Sequence, residues 1–335
     1  MQNPLVSILI PFKNTESFLV ECLDSLISQS YSNWELLIVD DHSTDSSYTL
    51  VENYVFKDSR IKLFKNEGSG IINALKLAFK HSTGDYITRM DSDDVMPKHK
   101  IKTLLYNLLR YGKQHIATGL VSYFSENGIS DGYKKYEQWL NALTLNGSNY
   151  SEIYKECVIP SPCWMIHKED LLAIDAFSPK RYPEDYDLTF RFYEKKYKVI
   201  PCNQTLHYWR DYGARASRTD ENYAENSFID IKLYYFLKLD YDKNRPLVIW
   251  GAGQKGKTIA KKLIALKVDF EWICDNPKKI GKDIYNIKMK SFQHLESLKN
   301  PQSVVSVANP KEQDIIKAYF KNHNMLTMID YFFFC

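Results

Sequence analysis

The chain has no apolar run approaching the ~20 residues needed to cross a bilayer. Val6 to Ile10 is far too short for the apolar segment of a secretory signal, and Pro11 stops it. No Cys-x-x-Cys pair occurs among the six cysteines (Cys22, Cys157, Cys163, Cys202, Cys274, Cys335). Scattered thiols of this kind exclude a cysteine zinc site and a disulfide framework and suit a reducing cytoplasm. Charge of one sign is also scarce: a net +3 is too small to argue for nucleic acid as a partner. With 44% hydrophobic and 25% charged residues nothing points to disorder, and 335 residues allow two domains, each with its own core. Tyrosine is abundant, 24 in all, which a ligand-binding surface or a membrane-facing one would each explain.

The informative stretch is Gly84 to Pro97, GDYITRMDSDDVMP. Tyr86 to Thr88 has the character of a short strand, and Arg89, Asp91, Asp93 and Asp94 follow at once. Carboxylates gathered at the end of a buried strand repel one another unless something cancels them. A divalent cation with hard oxygen ligands, Mg²⁺ or Mn²⁺, would do so, bound through one or two carboxylates and a substrate diphosphate. The alternative is a solvated acidic turn capping the helix after Pro97.

The flanking sequence alternates strand and helix. A continuous apolar run predicts a buried parallel strand at Leu5–Ile10, and further strands are expected at Trp34–Val39, Ile61–Phe64 and Tyr86–Arg89. Helical spacing marks Thr15 to Gln29, the stretch from Gly70 to about His81, and Lys98 to Tyr111. This alternation predicts an α/β fold with a mostly parallel central sheet covered by helices. Ligands of such sheets bind beyond the carboxyl ends of the strands. Pro11, Phe12, Lys13 and Asn14, then Asp40 and Asp41, then Asp91–Asp94 all fall there, so one crevice can collect all three stretches; Asn66–Gly70 is a glycine-containing loop. Further on, a strand is expected at Ile116–Tyr123, a helix around Trp139–Leu145, and a short strand in CWMIH. Glu184, Asp185 and Asp187 stand in the first turn of a helix, and Val199–Trp209 is extended. Carboxylates at a helix N-terminus are electrostatically favoured, so their presence there is not by itself a sign of catalysis.

Glu221 to Tyr241 carries an apolar face, which packing between domains explains better than a membrane surface. After Asp242 a second unit begins: LVIW, the turn GAGQKG, the helix KTIAKKLIAL, a strand over Val268–Cys274, and further strands at Ser303–Val307 and Met325–Ile329. Gly251, Gly253 and Gly256 match G-x-G-x-x-G between a strand and a helix, and Asp275 follows 24 positions after Gly251, near where an acidic ribose ligand would sit. The division expected is 1–218, a helical linker over 219–242, and a small Rossmann-like accessory domain over 243–335.

Four stretches, VSILIPFKN, SLISQSYSNWELLIVDDHSTD, GDYITRMDSDDVMP and PEDYDLTFRF, together resemble the family-2 glycosyltransferases of the GT-A fold, over residues 4–218. The resemblance implies a nucleotide-sugar donor, UDP-linked, and a DxD-type metal site. It implies that Asp41 accepts a hydrogen bond from the base, that Pro11 and its neighbours floor the base, and that Gly70 belongs to the same pocket. Asp91 would lie near the ribose and the metal waters, Asp93 would ligate Mn²⁺ or Mg²⁺, and Asp94 would ligate or support. Asp185 would be the catalytic base of an inverting transfer, with Glu184 supporting it or touching the acceptor. Arg89 would neutralise phosphate or pair with Asp91 or Asp94, and Arg210 and Arg215 are candidates for the diphosphate. The chain departs from the pattern at Lys13, where relatives place an aromatic residue, and at Tyr212, where many carry a histidine. His207 lies close by in sequence, but its strand register points it elsewhere.

The expected product belongs to a surface polysaccharide or another glycan, built on a glycan or lipid-linked glycan acceptor, by a cytoplasmic enzyme that could associate peripherally with a membrane. Two other classes compete. One is an NAD(P)-dependent sugar-modifying oxidoreductase centred on GAGQKG, although residues 243–335 contain no Tyr-x-x-x-Lys pair. The other is a non-catalytic nucleotide-binding protein.

Overall fold

The structure, a computed structural model, describes residues 3–178, 181–213, 215, 218 and 228–335. The chain divides into two compact units, one of 1–149 with 158–220, the other of 150–157 with 221–335.

The first unit is built on a seven-stranded sheet. Its strands are β1 (Val6–Phe12), β2 (Trp34–Asp40), β3 (Ile61–Lys65), β4 (Tyr86–Arg89), β5 (His115–Phe124), β6 (Trp164–His167) and β7 (Lys198–Arg210), in the order β3-β2-β1-β4-β6-β5-β7. β3, β2, β1 and β4 run parallel, β6 is antiparallel to both neighbours, and β5 and β7 pair parallel. Helices α1 (Glu16–Ile27), α2 (Ser47–Lys57), α3 (Ile71–His81), α4 (Lys100–Tyr111), α5 (Asp131–Asn146), α6 (Lys168–Ala173) and α7 (Glu184–Glu194) connect them. β1 and β2 are buried at every residue, and apart from Ser7, Glu35 and Asp40 those residues are apolar. Phe12 pairs with Asp40, so β1 and β2 end together, and parallel β4 ends on the same side, its last residue Arg89 opposite Leu9.

At the opposite side of this unit Glu35 lies inside the sheet, 4% exposed. Its Oε1 accepts from Ser7 Oγ (2.6 Å), Thr83 N (2.6 Å) and Thr83 Oγ1 (2.9 Å), and Oε2 accepts from Lys62 Nζ (2.7 Å). Burial opposes ionisation, but Lys62 and the hydroxyl and amide donors outweigh it and bring the carboxyl down to about 2.

In the second unit a five-stranded, all-parallel sheet holds β8 (Leu247–Trp250), β9 (Glu271–Cys274), β12 (Lys290–Ser291), β13 (Gln302–Val305) and β14 (Tyr331–Phe333). A small hairpin, β10 (Asp283–Ile284) with β11 (Ile287–Lys288), stands apart from it. Numbered by appearance the sheet order is 3-2-1-4-5. Three differences from the sequence reading emerge. The helix expected over 221–241 is α8 (Ile229–Leu239), and Ile231, Leu233, Tyr235 and Phe236 bury in this unit, so it is part of a core rather than a linker. Residues 219–227 of that expected linker lie outside the described residues. The last strand is not Met325–Ile329, because Leu326 and Ile329 are exposed and the Asp330 carboxylate turns the chain by accepting from Leu326 N (2.7 Å); the strand forms on Tyr331–Phe333 instead. Residues 150–157 also join this unit: the Tyr154 ring stacks on Phe334 (5.4 Å) and meets Phe236 and Phe332 edge-on.

Between β8 and α9 (Gln254–Ala265) the glycine turn is tight. Gly251 has φ +128°, and a Cβ on Gly256 would stand 2.1 Å from the Gly251 carbonyl oxygen, whereas one on Gly253 would meet nothing within 4 Å. Gly251 and Gly256 therefore serve the turn itself, and Gly253 leaves open space.

Two outcomes test this account. Glu35→Gln lowers stability by about 1–3 kcal/mol at neutral pH, read by chemical denaturation. Because the folded carboxyl is depressed, its contribution is present above the ordinary carboxylate range, so the gap between wild type and variant closes as pH falls through that range towards about 2. Gly256→Ala lowers the melting temperature, while Gly253→Ala leaves it within a degree or so of wild type, on the order of the ±0.5 kcal/mol seen at open positions.

Candidate active site

The crevice forms where β1, β2 and β4 end. After β2, Asp41 is fixed by its backbone N–H donating to Phe12 O (2.8 Å). Its carboxylate accepts from Asn66 Nδ2 (2.6 Å) and from Gly70 N, 2.9 and 3.0 Å to its two oxygens. Gly70 can supply that amide because its φ of +84° suits glycine. Asn14, itself at φ +52°, accepts from Thr44 N (2.7 Å), while Lys13 projects into solvent. Pro11 and Phe12 are buried beneath. Asn66 was missed at the sequence level; its only signal was its place in the glycine-containing loop.

Past β4, Arg89 is almost wholly buried. Its Nε donates to Asp91 Oδ1 (3.1 Å) and its Nη1 to Glu184 Oε1 (2.9 Å). One guanidinium thus links the DSDD turn to the first residue of α7. Burial disfavours its charge, but Asp91 and Glu184 more than compensate and keep it protonated. Burial likewise pushes against ionisation of Asp91, yet Arg89 holds that carboxyl below its ordinary value. The expectation that Arg89 meets phosphate gives way here to its pairing with Asp91 and Glu184.

Asp93 and Asp94 face different ways. Asp94 has no exposed surface: Oδ2 accepts from His207 Nε2 (2.8 Å) and Oδ1 from Arg210 N (2.8 Å). His207 Nδ1 faces Lys100 Nζ at 3.4 Å, and Lys100 also donates to Pro162 O (2.5 Å). An ammonium can only donate, so Nδ1 accepts and the imidazole proton sits on Nε2, aimed at Asp94. Burial, then Lys100, keeps His207 neutral. The register argument that turned His207 away from the site is therefore corrected: β5 and β7 slip register between Gly119 and Val121, which shifts the facing of the residues beyond. Lys100 was missed altogether, because a helix-start lysine reads as solvent-exposed.

Asp93 is only partly covered, and its Oδ2 accepts from Tyr212 Oη (2.9 Å). Burial and the charges of Asp94 and Asp91 push its carboxyl up to about 7. Arg215 packs over the Trp209 ring (5.2 Å), and despite burial the field of Asp94 and its neighbours holds it charged. Arg210, considered for the diphosphate, is committed to the chain: Nε donates to Asp93 O (2.7 Å) and Nη2 to Glu21 Oε2 (2.5 Å).

The donor set suits a hard divalent cation. Asp93 is an oxygen ligand at the surface of the cluster whose ionisation is opposed by two neighbouring carboxylates, the condition that a bound cation relieves. Among the described residues no three acidic, histidine or cysteine side chains are arranged to hold a metal by themselves, in keeping with an ion that takes one or two carboxylates and completes its shell from water and diphosphate.

Asp185, the second residue of α7, is half-buried, and its Oδ1 accepts from Tyr186 N (2.8 Å). Burial and the adjacent Glu184 raise its carboxyl to about 7, against the pull of Arg89. Asp187 turns away to Arg181 and Arg191. Gly251, Gly253 and Gly256 belong to the second unit.

A sheet of this order, with Asp41, the DSDD turn and Asp185 at its carboxyl ends, is that of a GT-A glycosyltransferase. The family profile "Glycosyl transferase family 2" matches residues 7–174, half of the chain, and the chain belongs to that family. It is 26% identical over 222 residues to glycosyltransferase GlyG of Streptococcus pneumoniae, covering 64% of this chain and 74% of GlyG. It spans only 30% of a second pneumococcal relative, GlyA, at 28% identity over 61% of this chain. Escherichia coli WfgD, a UDP-Glc:α-D-GlcNAc-diphosphoundecaprenol β-1,3-glucosyltransferase, is 31% identical over 56% of this chain and 69% of its own length. Among solved structures, Staphylococcus aureus TarS 1–349 with UDP-GlcNAc superposes with TM-score 0.55 at 19% identity, over 77% of this chain and 71% of that one. The Pyrobaculum calidifontis mannosyltransferase PcManGT with GDP-Man and Mn²⁺ gives 0.51 at 18% identity, over 71% and 64%. At such identities these two structures speak for the fold.

Arg89→Met leaves Asp91 and Glu184 without their shared cation. The expected outcome is a loss of about 3–5 kcal/mol in chemical denaturation, the scale for breaking a buried ion pair. Adding Glu184→Gln recovers part of it.

Proposed function

We propose that the protein is an inverting glycosyltransferase that moves a sugar from a UDP-sugar to a hydroxyl of a glycan or lipid-linked glycan during surface glycan synthesis. The observation that carries this reading is the Asp91–Arg89–Glu184 chain, which brings Asp185 to the DSDD turn across about ninety residues of sequence.

In this reading Asp41 accepts from the base, on the carboxylate that Gly70 and Asn66 hold in place. Asp93 would hold a Mg²⁺ or Mn²⁺, which when bound supplies positive charge for the leaving diphosphate. Asp94 acts from behind, fixing the turn through His207 and Arg210. Asp185 takes the proton of the acceptor hydroxyl as its oxygen attacks the anomeric carbon from the face opposite the diphosphate. The bond from that carbon to the phosphate oxygen breaks, and its electron pair leaves with UDP. A base whose ordinary acidity has been moved to about 7 is half-ionised at neutral pH and strong enough to accept the proton. The likeness to TarS, solved with UDP-GlcNAc, and to WfgD, named for a UDP-glucose donor and a diphosphoundecaprenol acceptor, supports the donor and acceptor classes. PcManGT, solved with Mn²⁺, supports the metal.

Asp185→Asn is expected to lower turnover by ~100-fold or more while UDP binding, read by calorimetry, stays within error of wild type. In the wild type, turnover falls as pH drops below about 7, because Asp185 must be ionised to act. Full turnover of Asp185→Asn with a dead Glu184→Gln would shift the base by one residue. Activity in both would reduce the PEDYD stretch to a helix start.

A further inference from the structure

The segment from Val95 to Ser125 contains no aspartate or glutamate, and neither does β7. In a chain with 41 acidic residues among 335 this is a long interval, and it is continuous in space as well as in sequence. α4 lies along β7: Thr103 Oγ1 bonds Gln204 Oε1 (3.4 Å) and Asn107 Nδ2 lies 3.3 Å from Cys202 Sγ. α4 buries Ile101, Leu104, Leu105 and Leu108 against the sheet and turns the opposite stripe to solvent.

That solvent stripe is not polar in the ordinary way. Tyr106 is 62% exposed, Tyr111 54% and Leu109 42%, between the exposed cations Lys98, Lys102 and Arg110. The Arg110 guanidinium sits between the two tyrosines, 5.9 Å from each ring. Beside the start of the helix, Tyr208 adds a fourth exposed apolar body, and its backbone pairs with Val95, next to Asp94. At the far end of this face Glu169 pairs with Lys113. A solvated helix face would mix both signs of charge and avoid aromatic rings. Basic side chains interleaved with tyrosines, with no carboxylate on the helix itself, match the headgroup layer of an anionic bilayer. There cations are attracted by the surface potential, and amphipathic rings settle at the interface.

We propose that the outer face of α4, with Tyr208, docks the protein on an anionic lipid surface. The helix is about 18 Å long at 1.5 Å per residue, and it starts six residues after Asp94. A bilayer lying along it therefore reaches the edge of the acidic turn. The mode is interfacial, because no helix among the described residues is long and apolar enough to cross a membrane. It also moves the membrane-facing surface away from residues 229–239, whose apolar side is used up inside the second unit.

The test is co-sedimentation of the full chain with phosphatidylcholine vesicles with and without phosphatidylglycerol, a readout independent of any transfer activity. Wild type is expected to pellet with the anionic vesicles only, and to be released by salt. Lys102→Glu with Arg110→Glu should weaken binding at least ~30-fold, since each cation near such a surface counts for about a factor of five. Tyr106→Ser with Leu109→Ser should weaken it about tenfold. A charge-matched control in the second unit, Lys282→Glu with Lys321→Glu, should bind as wild type; circular dichroism checks that each variant is folded. Absence of binding to anionic vesicles overturns the proposal, as does equal binding to phosphatidylcholine alone. So does an equal loss in the control, which would make the effect one of overall charge. Wild-type affinity in both α4 variants overturns it too. Light scattering that shows a wild-type dimer broken by Tyr106→Ser with Leu109→Ser would assign the face to a second copy of the chain and overturn it as well.

Discussion

The candidate site depends on one buried cation. Asp91, Glu184 and Asp185 could not be brought close in a low-dielectric crevice without an opposing charge, and Arg89 supplies it from the end of β4. Its planar fork reaches Asp91 with one edge and Glu184 with another, a geometry that a lysine could not reproduce. Because Arg89 is fixed by its strand, opposite Leu9, the first turn of α7 is located relative to the sheet and not merely tethered to it. The position of Asp185 follows from that, one residue along the same helix.

The rest of the acidic turn is sorted by how each carboxylate is neutralised. Asp91 is paired and held ionised. Asp94 is taken inward and satisfied by a neutral imidazole and a backbone amide, with Lys100 fixing the imidazole from behind. Asp93 keeps a phenol and a share of Arg215's field but remains difficult to ionise. Adjacent residues of one chemical type thus carry different tasks, and environment alone separates them. The lysine is costly to bury, and its place beneath the cluster offsets part of the surplus negative charge without occupying the open side.

Much of this was legible from sequence, for identifiable reasons. Strands buried on both faces are mostly apolar, so β1 and β2 announced themselves, and the acids after them, with those after β4, had to lie at one edge. The partners of those acids did not show. Lys100 and His207 are 107 residues apart, and nothing in either neighbourhood marks them as a pair. His207 was turned the wrong way because a register shift in β5 and β7 breaks the alternation on which facing is counted. Arg210 resembled a phosphate ligand because free arginines usually are exposed; here its donors close on Asp93 O and Glu21. β6 was seen as a strand, but its antiparallel insertion between β4 and β5 is a matter of chain path that no local pattern encodes.

The eight residues 150–157 leave the first unit and return to it, pinched where Asn149 Nδ2 donates to Val158 O (2.8 Å), and in between they fill the core of the second. The Tyr154 ring meets Phe236, Phe332 and Phe334. During synthesis the chain emerges from its N-terminus, so this loop is made before nearly everything it packs on. The Tyr154 ring stays without Phe332 and Phe334 until β14 and the residue after it have been made. Assembly of the second unit is thereby tied to synthesis of β14, and a ribosome stalled short of Phe332 would display the tyrosine loop without the strand that shelters it.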